Sequence, residues 1–160
     1  MNLRREYVKL LNMSDWAKTI ILAVDGSPNS IRAAEVAINI AKGNGSRLIV
    51  LMVVDTRTVS DFSRMLEEGA KLSHAAEELY VSATKVVASI KKMAEKSGQS
   101  VDTIIRKGLP HIEIVIFAQE IGADLIIIGK GGRYGASRHM MGTITERVIE
   151  DADCSVLIVR

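Results

Sequence analysis

The residues best suited to bind a ligand lie in two glycine-containing segments of this sequence. Each segment follows a hydrophobic run. Residues 25–27 are Asp-Gly-Ser; residues 129–132 are Gly-Lys-Gly-Gly and are followed, after nine further residues, by Gly142 and Thr143. Glycine lets a backbone approach a ligand closely and adopt positive φ, and successive backbone N–H groups form a concavity that suits anions. A helix opening at Thr143 would add unpaired N–H groups and a partial positive charge. The pattern predicts a site for a ligand with a polyphosphate tail.

Charged side chains beside these segments indicate how such a ligand would lie. Asp25 would face its sugar or base end, on the wall opposite the second glycine segment. Basic residues would neutralise the phosphates, and the candidates are Lys130, Arg133, Arg138 and His139. Each feature also has a plainer interpretation, because glycines after a strand often form only a turn and an Asp there is often a turn former. Their coincidence at one place in the fold favours a ligand site.

Five short runs rich in Val, Ile and Leu, separated by helix-like segments, predict the strands that position these residues. Most of the runs are apolar on both faces, as strands of a parallel sheet covered by helices must be. The third run alternates apolar and polar residues, which is typical of an edge strand. The predicted strands are 19–24, 47–54, 101–106, 124–128 and 155–159.

The intervening segments carry apolar periodicity and end signals that predict helices. Ser27 followed by Pro28 is a typical start for the first helix. Thr143 and Glu146 have the spacing of a capping box at the start of the last. The predicted helices begin near 28, 72, 110 and 143, and the first three end at glycines, at 43–45, 98 and 122.

The alternation of strand and helix predicts an α/β fold: an open five-stranded parallel sheet, Rossmann-like, with helices on both faces. Crossovers between parallel strands are almost always right-handed, and we expect the strand order 3-2-1-4-5. The flavodoxin-like order 2-1-3-4-5 also agrees with the pattern. In the first order, strands 1 and 4 are neighbours where the strand order reverses, and ligands of open α/β sheets bind beyond the carboxyl ends of the strands at that point. Both glycine segments would meet there.

Composition limits the remaining possibilities. With 160 residues, a net charge of +2 and 4% aromatic residues, the chain suits one domain and offers no basic or aromatic surface for nucleic acid. We expect 1–18 to be an N-terminal extension and 19–160 the domain. The single Cys154 fits a reducing compartment, and no apolar run is long enough to span a bilayer. These features predict a cytoplasmic protein with no membrane or nucleic-acid partner, and neither His74 nor His111 has the neighbours of a protein metal site.

The spacing of the second glycine segment resembles a known family motif. Gly129-x-x-Gly132, nine residues, then Gly142-Thr143 is similar to the G-x2-G-x9-G-(S/T) motif of ATP-binding universal stress proteins. Residues 20–27, 123–129 and 151–160 resemble the family's first, fourth and last strands, so the likeness covers about 17–160. The sequence departs from the family pattern at Gly131, where Arg or His is common, and at Ser155, where proline is common.

The resemblance implies a ligand, a set of contacts and a partner. ATP (or AMP or ADP) would bind, with Mg²⁺ or Mn²⁺ held on its phosphates rather than by protein side chains. Ala23, Asp25 and the backbone of Val53 would hold adenosine. The glycines at 129, 131 and 132 would wrap the ribose and phosphates, and residues 142–145 would bind the phosphate tail. Strand 155–159 would pair with a second copy in a homodimer. The implied site residues are Ala23, Asp25, Val53, Ile128, Gly129, Gly131, Gly132, Gly142, Thr143, Ile144 and Thr145.

Three functions remain open at this point. The resemblance favours an ATP-binding sensor or regulator of a stress response. The alternatives are a slow ATP hydrolase and an interaction module that uses no nucleotide. We predict no catalytic residues, because no Asp, Glu or Gln lies between Gly129 and Thr145 and His139 is the only candidate base there.

Overall fold

Alternating strands and helices make up the computed structural model, which describes residues 16–58, 70–131 and 141–160, with side chains described from residue 76 onward in the middle range. We number the elements in chain order. The strands are β1 Thr19–Val24, β2 Arg47–Asp55, β3 Val101–Gly108, β4 Leu125–Gly129 and β5 Ser155–Val159. The helices are α1 Pro28–Asn44, α2 Ala70–Lys96, α3 Pro110–Ile121 and α4 Thr143–Asp151. No helix among the described residues is long and apolar enough to cross a membrane.

The five strands form one parallel sheet in the order β3-β2-β1-β4-β5. This confirms the favoured order and excludes the flavodoxin-like alternative. Strand β3 lies at one edge, as its alternating pattern predicts, and runs two residues further than expected because Gly108 still pairs with Asp55 of β2. Strands β1 and β4 are neighbours, with Ala23 opposite Ile128 near their carboxyl ends. The reversal of strand order therefore lies at the ends that carry the glycine segments.

Both faces of the sheet are buried, which explains why the central strands are apolar in successive residues. On one face, alternate side chains such as Leu22 and Val50 pack with Ala37 of α1 and Ile90 of α2. On the other face, the intervening side chains pack under α3 and α4. Burying each large aliphatic side chain contributes about 1.5–3 kcal/mol, so the sheet is a rigid platform for the loops at its ends.

Helix α1 begins and ends as the sequence predicts. The Ser27 hydroxyl accepts a hydrogen bond from the backbone N–H of Ser30 at 3.2 Å, and Pro28 occupies the first turn. Gly45 adopts a left-handed conformation, with φ 68° and ψ 29°, and its N–H donates to the carbonyl of Ala41. The start of α1 is thereby fixed beside the carboxyl end of β1.

Helix α4 begins at Thr143, as predicted, but its N-cap differs from the prediction. Gly142 is its N-cap, with φ −74° and ψ 141°, and no side chain caps the helix. The predicted capping box of Thr143 and Glu146 is wrong, because Thr143 is already the first helical residue and Glu146 the fourth. The N–H of Glu146 donates within the helix to the Gly142 carbonyl at 3.0 Å. Glycine has no side chain to accept from the first-turn N–H groups, so those groups remain available to a ligand.

Candidate functional site

A cleft of about 440 Å³ opens beyond the carboxyl ends of β1, β2 and β4. The first residues of α1, α3 and α4 complete its walls, so it lies at the reversal of strand order, where open α/β sheets bind their ligands. Of the eleven site residues implied by the sequence, Gly132 lies outside the described residues. The ten that line the cleft are Ala23, Asp25, Val53, Ile128, Gly129, Gly131, Gly142, Thr143, Ile144 and Thr145.

The wall of the cleft at β1 ends in a carboxylate that local structure orients. One oxygen of Asp25 accepts a hydrogen bond from the N–H of Ser27 at 2.9 Å, which is the turn geometry that an Asp at this position favours. The side chain is half-buried and lines the cleft. A carboxylate has about four lone-pair sites, so Asp25 retains acceptors for the hydroxyl groups of a ligand.

The glycine end of the cleft is built by contacts between β4, α1 and α4. The hydroxyl of Thr145, only 2% exposed, donates to the carbonyl of Gly129 at 3.0 Å. A Cβ added to Gly129 would lie 2.9 Å from the backbone carbonyl carbon of Asn29. Glycine is therefore required at 129 by the close approach of β4 to α1, and not by positive φ, which this residue does not adopt.

The first turn of α4 faces the same end. Gly142, Thr143, Ile144 and Thr145 all line the cleft, and the helix has no side-chain cap. A helix N-terminus of this kind presents backbone N–H donors and a partial positive charge, which together bind phosphate or carboxylate groups.

A largely apolar surface connects the glycine end of the cleft to its other end. Five of the side chains on this surface project from adjacent strands and from α3. A flat ring that lay on this surface would make hydrophobic contacts through its faces. The five apolar residues are Ala23, Leu51, Val53, Ile114 and Ile128.

A polar cluster in the lining of the cleft was missed by sequence reasoning. Asp55 forms a two-pronged ion pair with Arg57, with distances of 2.8 and 3.1 Å. The buried ring of His111 makes a 3.2 Å contact through Nε2 with a guanidinium nitrogen of Arg147. All four side chains line the cleft. Asp55 could have been found as a second carboxylate after a buried strand, but nothing in the sequence pairs α3 with α4.

The charges in this polar cluster determine its protonation. Burial lowers the pKa of His111, and the guanidinium groups of Arg147 and Arg57 lower it further. Burial opposes ionisation of Asp55, but the hydrogen bonds and charge of Arg57 outweigh it, so the pKa of that carboxyl lies below its ordinary value. At neutral pH the imidazole is therefore neutral and accepts from Arg147 through Nε2, while Asp55 is ionised.

Side chains suited to metal binding or thiol chemistry are not grouped in the described part of this cleft. Within the described ranges, no three His, Cys, Asp or Glu side chains are placed to hold a metal ion. Cys154 packs against the core under α3 and α4, and burial raises the pKa of its thiol. The cleft therefore combines a helix start that suits anions, an apolar surface and a mixed polar cluster.

Structures with the same fold have been solved with adenine nucleotides. One is a universal stress protein in complex with cAMP, with a TM-score of 0.69 and 22% identity; the match covers 91% of this chain and 99% of that one. Another is the universal stress protein from Archaeoglobus fulgidus in complex with dAMP, with a TM-score of 0.65 and 20% identity; it covers 91% of this chain and 98% of that one. At such identities the likeness concerns the fold alone.

Closer sequence relatives establish the family. The family model described as universal stress protein matches residues 17–160. A universal stress protein of Methanocaldococcus jannaschii is 39% identical over 143 residues, which is 89% of this chain and 82% of the relative. The solved structure of UspA from Lactobacillus plantarum has a TM-score of 0.78 and 26% identity, covering 90% of this chain and 98% of that one. The chain therefore belongs to the universal stress protein family.

Proposed function

We propose that this protein binds an adenine nucleotide, with ATP as the preferred ligand, and acts in the cytoplasm as a nucleotide-dependent regulator of a stress response. The observation that carries the proposal is the uncapped start of α4, which lies in the same cleft as a long apolar surface. The first element suits phosphates and the second suits a base. The nucleotide-bound members of the family, with cAMP and dAMP, support this choice of ligand class.

The arrangement of the cleft supports a specific orientation of the nucleotide. The adenine would lie on the apolar surface and be read by the backbone at Val53, with Ala23 against it and Asp25 accepting from the ribose. The glycines after β4 (129, 131 and 132) would wrap the ribose and the first phosphates. The phosphate tail would receive hydrogen bonds from the first turn of α4, at residues 142–145.

A divalent cation, Mg²⁺ or Mn²⁺, would enter with the nucleotide. Phosphate oxygens are strong ligands for these hard cations, and Mg²⁺ in nucleotide sites usually keeps several waters and few protein ligands. The hydroxyl of Thr143 is the side chain at the phosphate end best suited to bind it or one of its waters. This choice is consistent with a cleft whose carboxylates, Asp25 and Asp55, lie at the ends of β1 and β2.

Titration calorimetry with Mg·ATP and Mg·GTP tests the proposal. We expect ATP to bind at least tenfold more tightly, because backbone groups at Val53 can pair with the edge of adenine but would oppose the donor and acceptor pattern of guanine. Ala23→Phe should abolish binding by filling the base end of the cleft. The control Ala152→Phe changes an alanine outside the cleft. Equal affinity for the two nucleotides, or undetectable binding of both, would contradict the proposal.

The same proposal includes a homodimer formed through β5. This strand lies at the edge of the sheet, and its residues 156–159 are half-buried in the single chain. An apolar edge with unpaired backbone groups favours pairing with another strand, and a two-fold axis would make that pairing antiparallel and self-complementary.

A further inference from the structure

A side-chain bracket formed by Asn29 and Arg32 holds the described start of the glycine loop, residues 129–131, from outside the cleft. Asn29 lies in the first turn of α1, and its side-chain amide nitrogen donates to the carbonyl of Gly131 at 2.9 Å. Neither Asn29 nor Arg32 lines the cleft. Their contacts therefore act on the backbone of the loop and do not compete with a ligand.

Arg32, one turn further along α1, connects this contact to the end of the sheet. One guanidinium nitrogen donates to the side-chain oxygen of Asn29, and Nε donates to the carbonyl of Arg160, the residue after β5, at 3.2 Å. The planar guanidinium can reach both acceptors at once because its donors are fixed in a fork. The loop, α1 and the end of β5 are thus linked through two side chains.

The chemistry of this bracket determines which way the Asn29 amide points. Arginine carries only hydrogen-bond donors, whereas an asparagine amide has an oxygen that accepts and a nitrogen that donates. Because Arg32 donates to Asn29, the amide oxygen must face Arg32 and the nitrogen must face Gly131. Arg32 therefore fixes Asn29 in the one orientation in which its amide nitrogen can donate to the Gly131 carbonyl.

Backbone hydrogen bonds fix Lys130, the residue before this contact. The N–H of Lys130 donates to the carbonyl of Val159 at 2.7 Å, and the N–H of Gly142 donates to the carbonyl of Lys130 at 3.0 Å. Lys130 is thereby tied to β5 and to the start of α4. Gly131, the next residue, is hydrogen-bonded to Asn29 of α1. The start of the loop is therefore held by β5, α4 and α1 together.

We propose that Asn29, oriented by Arg32, is a positioning residue that holds the backbone at Gly131 in place for phosphate binding. The inference rests on the proposed nucleotide function, in which the glycines after β4 wrap the ribose and the first phosphates. It extends the site to two residues that touch no ligand, and it makes the C-terminal end of β5 part of the support of the loop. Loss of the bracket should weaken phosphate recognition more than recognition of the nucleoside.

Calorimetry with Mg·ATP and with adenosine, on three variants, tests this inference. Asn29→Ala and Arg32→Met should each weaken ATP binding about five- to tenfold, the loss expected for one part-buried hydrogen bond. Adenosine binding should change less than twofold. Arg32→Lys keeps a donor for the Asn29 oxygen and should recover most of the ATP affinity.

Arg47→Met is the matched control, because it removes the same charge from an exposed arginine at the opposite end of the sheet, where Arg47 pairs with Asp102. If Arg47→Met weakens ATP binding as much as Arg32→Met does, the effect is one of net charge and the inference falls. Equal losses for ATP and adenosine in Asn29→Ala would also overturn it, since they would indicate a general disturbance of the fold.

Amide hydrogen exchange in the ligand-free protein separates failure of this inference from failure of the nucleotide function. The Gly142 N–H should exchange faster in Asn29→Ala and Arg32→Met than in the wild type, and at the wild-type rate in Arg47→Met. This result would support the bracket even if the wild-type protein bound no ATP. Unchanged exchange in both bracket variants would overturn it.

Discussion

His111 is the residue of the cleft whose ionisation should affect the stability of the protein near physiological pH. Its pKa is lowered from 6.5 by burial first, and then by Arg147 and Arg57, while Asp151 and Asp55 oppose the shift. The unfolded chain therefore binds a proton more readily than the folded one. The stability that neutral His111 contributes is complete above pH 6.5 and is lost as the pH falls from there towards the lower folded pKa.

Thermal unfolding between pH 7.5 and 5.0 measures this effect. We expect the wild-type midpoint to fall over this range, with each tenfold decrease in proton affinity worth about 1.4 kcal/mol. His111→Gln, which keeps an acceptor for Arg147 but does not titrate, should show a smaller fall. His74 and His139 are present in both proteins and cancel in the comparison, and Asp55 titrates below this range. Identical pH dependence in the two proteins would show that His111 is not responsible.

Two glycines of this protein should respond in opposite directions to the same substitution. Gly129→Ala should destabilise the fold by about 1–3 kcal/mol, the usual cost of overpacking, because the new Cβ would lie 2.9 Å from the backbone of Asn29. Gly43→Ala, in the last turns of α1 with nothing within 4 Å, should stabilise it by about 0.5–1 kcal/mol. Urea unfolding measures both changes, and a neutral Gly129→Ala would contradict the close approach of β4 to α1.

At the scale of elements, the position of β5 at the edge of the sheet predicts that the protein forms a homodimer. Ile158→Lys should convert a dimer to a monomer, since it places a charge on a half-buried residue of the edge strand where a partner strand would pair. Ile116→Lys is a suitable control because it makes the same change at an exposed isoleucine of α3, away from that edge. Multi-angle light scattering at micromolar concentration measures the mass. A monomeric wild type, or a dimer unaffected by Ile158→Lys, would contradict the prediction.

The elements that could be predicted from sequence are those whose signals are local. Ser27, Pro28 and the glycines at 43–45 define α1 by themselves, and the limits of α3 follow equally well from Pro110 and Gly122. The handedness of crossovers is a non-local rule that both candidate strand orders satisfy, so the pattern favoured 3-2-1-4-5 without deciding it. The start of α4 near 143 was predicted correctly, but its capping residue was not, because Gly142 and Thr143 are both acceptable N-caps and only the backbone conformation decides between them.

At the scale of the whole molecule, the position of the cleft could be predicted but its full lining could not. The carboxyl ends of β1 and β4 must meet once the strand order is known, which places Asp25 and Gly129 on one cleft. The contact of His111 with Arg147 depends on how α3 packs against α4, and the reach of Asn29 to Gly131 depends on how α1 packs against β4. Such contacts depend on tertiary packing, and no motif or residue spacing in the sequence indicates them.

The final prediction concerns the fate of bound ATP, which we expect to be held and not rapidly consumed. A fast hydrolase needs a group that activates the attacking water as well as stabilisation of the developing charge. The start of α4 supplies the stabilisation of the developing charge. Among the described residues that line the cleft, the carboxylates are Asp25 and Asp55. They lie at the ends of β1 and β2, and Asp55 is paired with Arg57, so neither is placed to act as a base at the phosphate end. The neutral His111 already uses the lone pair of Nε2 to accept from Arg147.

Steady-state phosphate release by highly purified protein measures the turnover. We expect a rate below the ~1–10³ s⁻¹ typical of enzymes. The control is Gly132→Val, which the G-x2-G-x9-G-(S/T) motif places in the phosphate loop and which should block binding by adding a β-branched side chain. Turnover of several per second that disappears in Gly132→Val would show that the protein is an ATP hydrolase. Turnover that persists in this variant would come from a contaminating enzyme, because a site that cannot bind ATP cannot hydrolyse it.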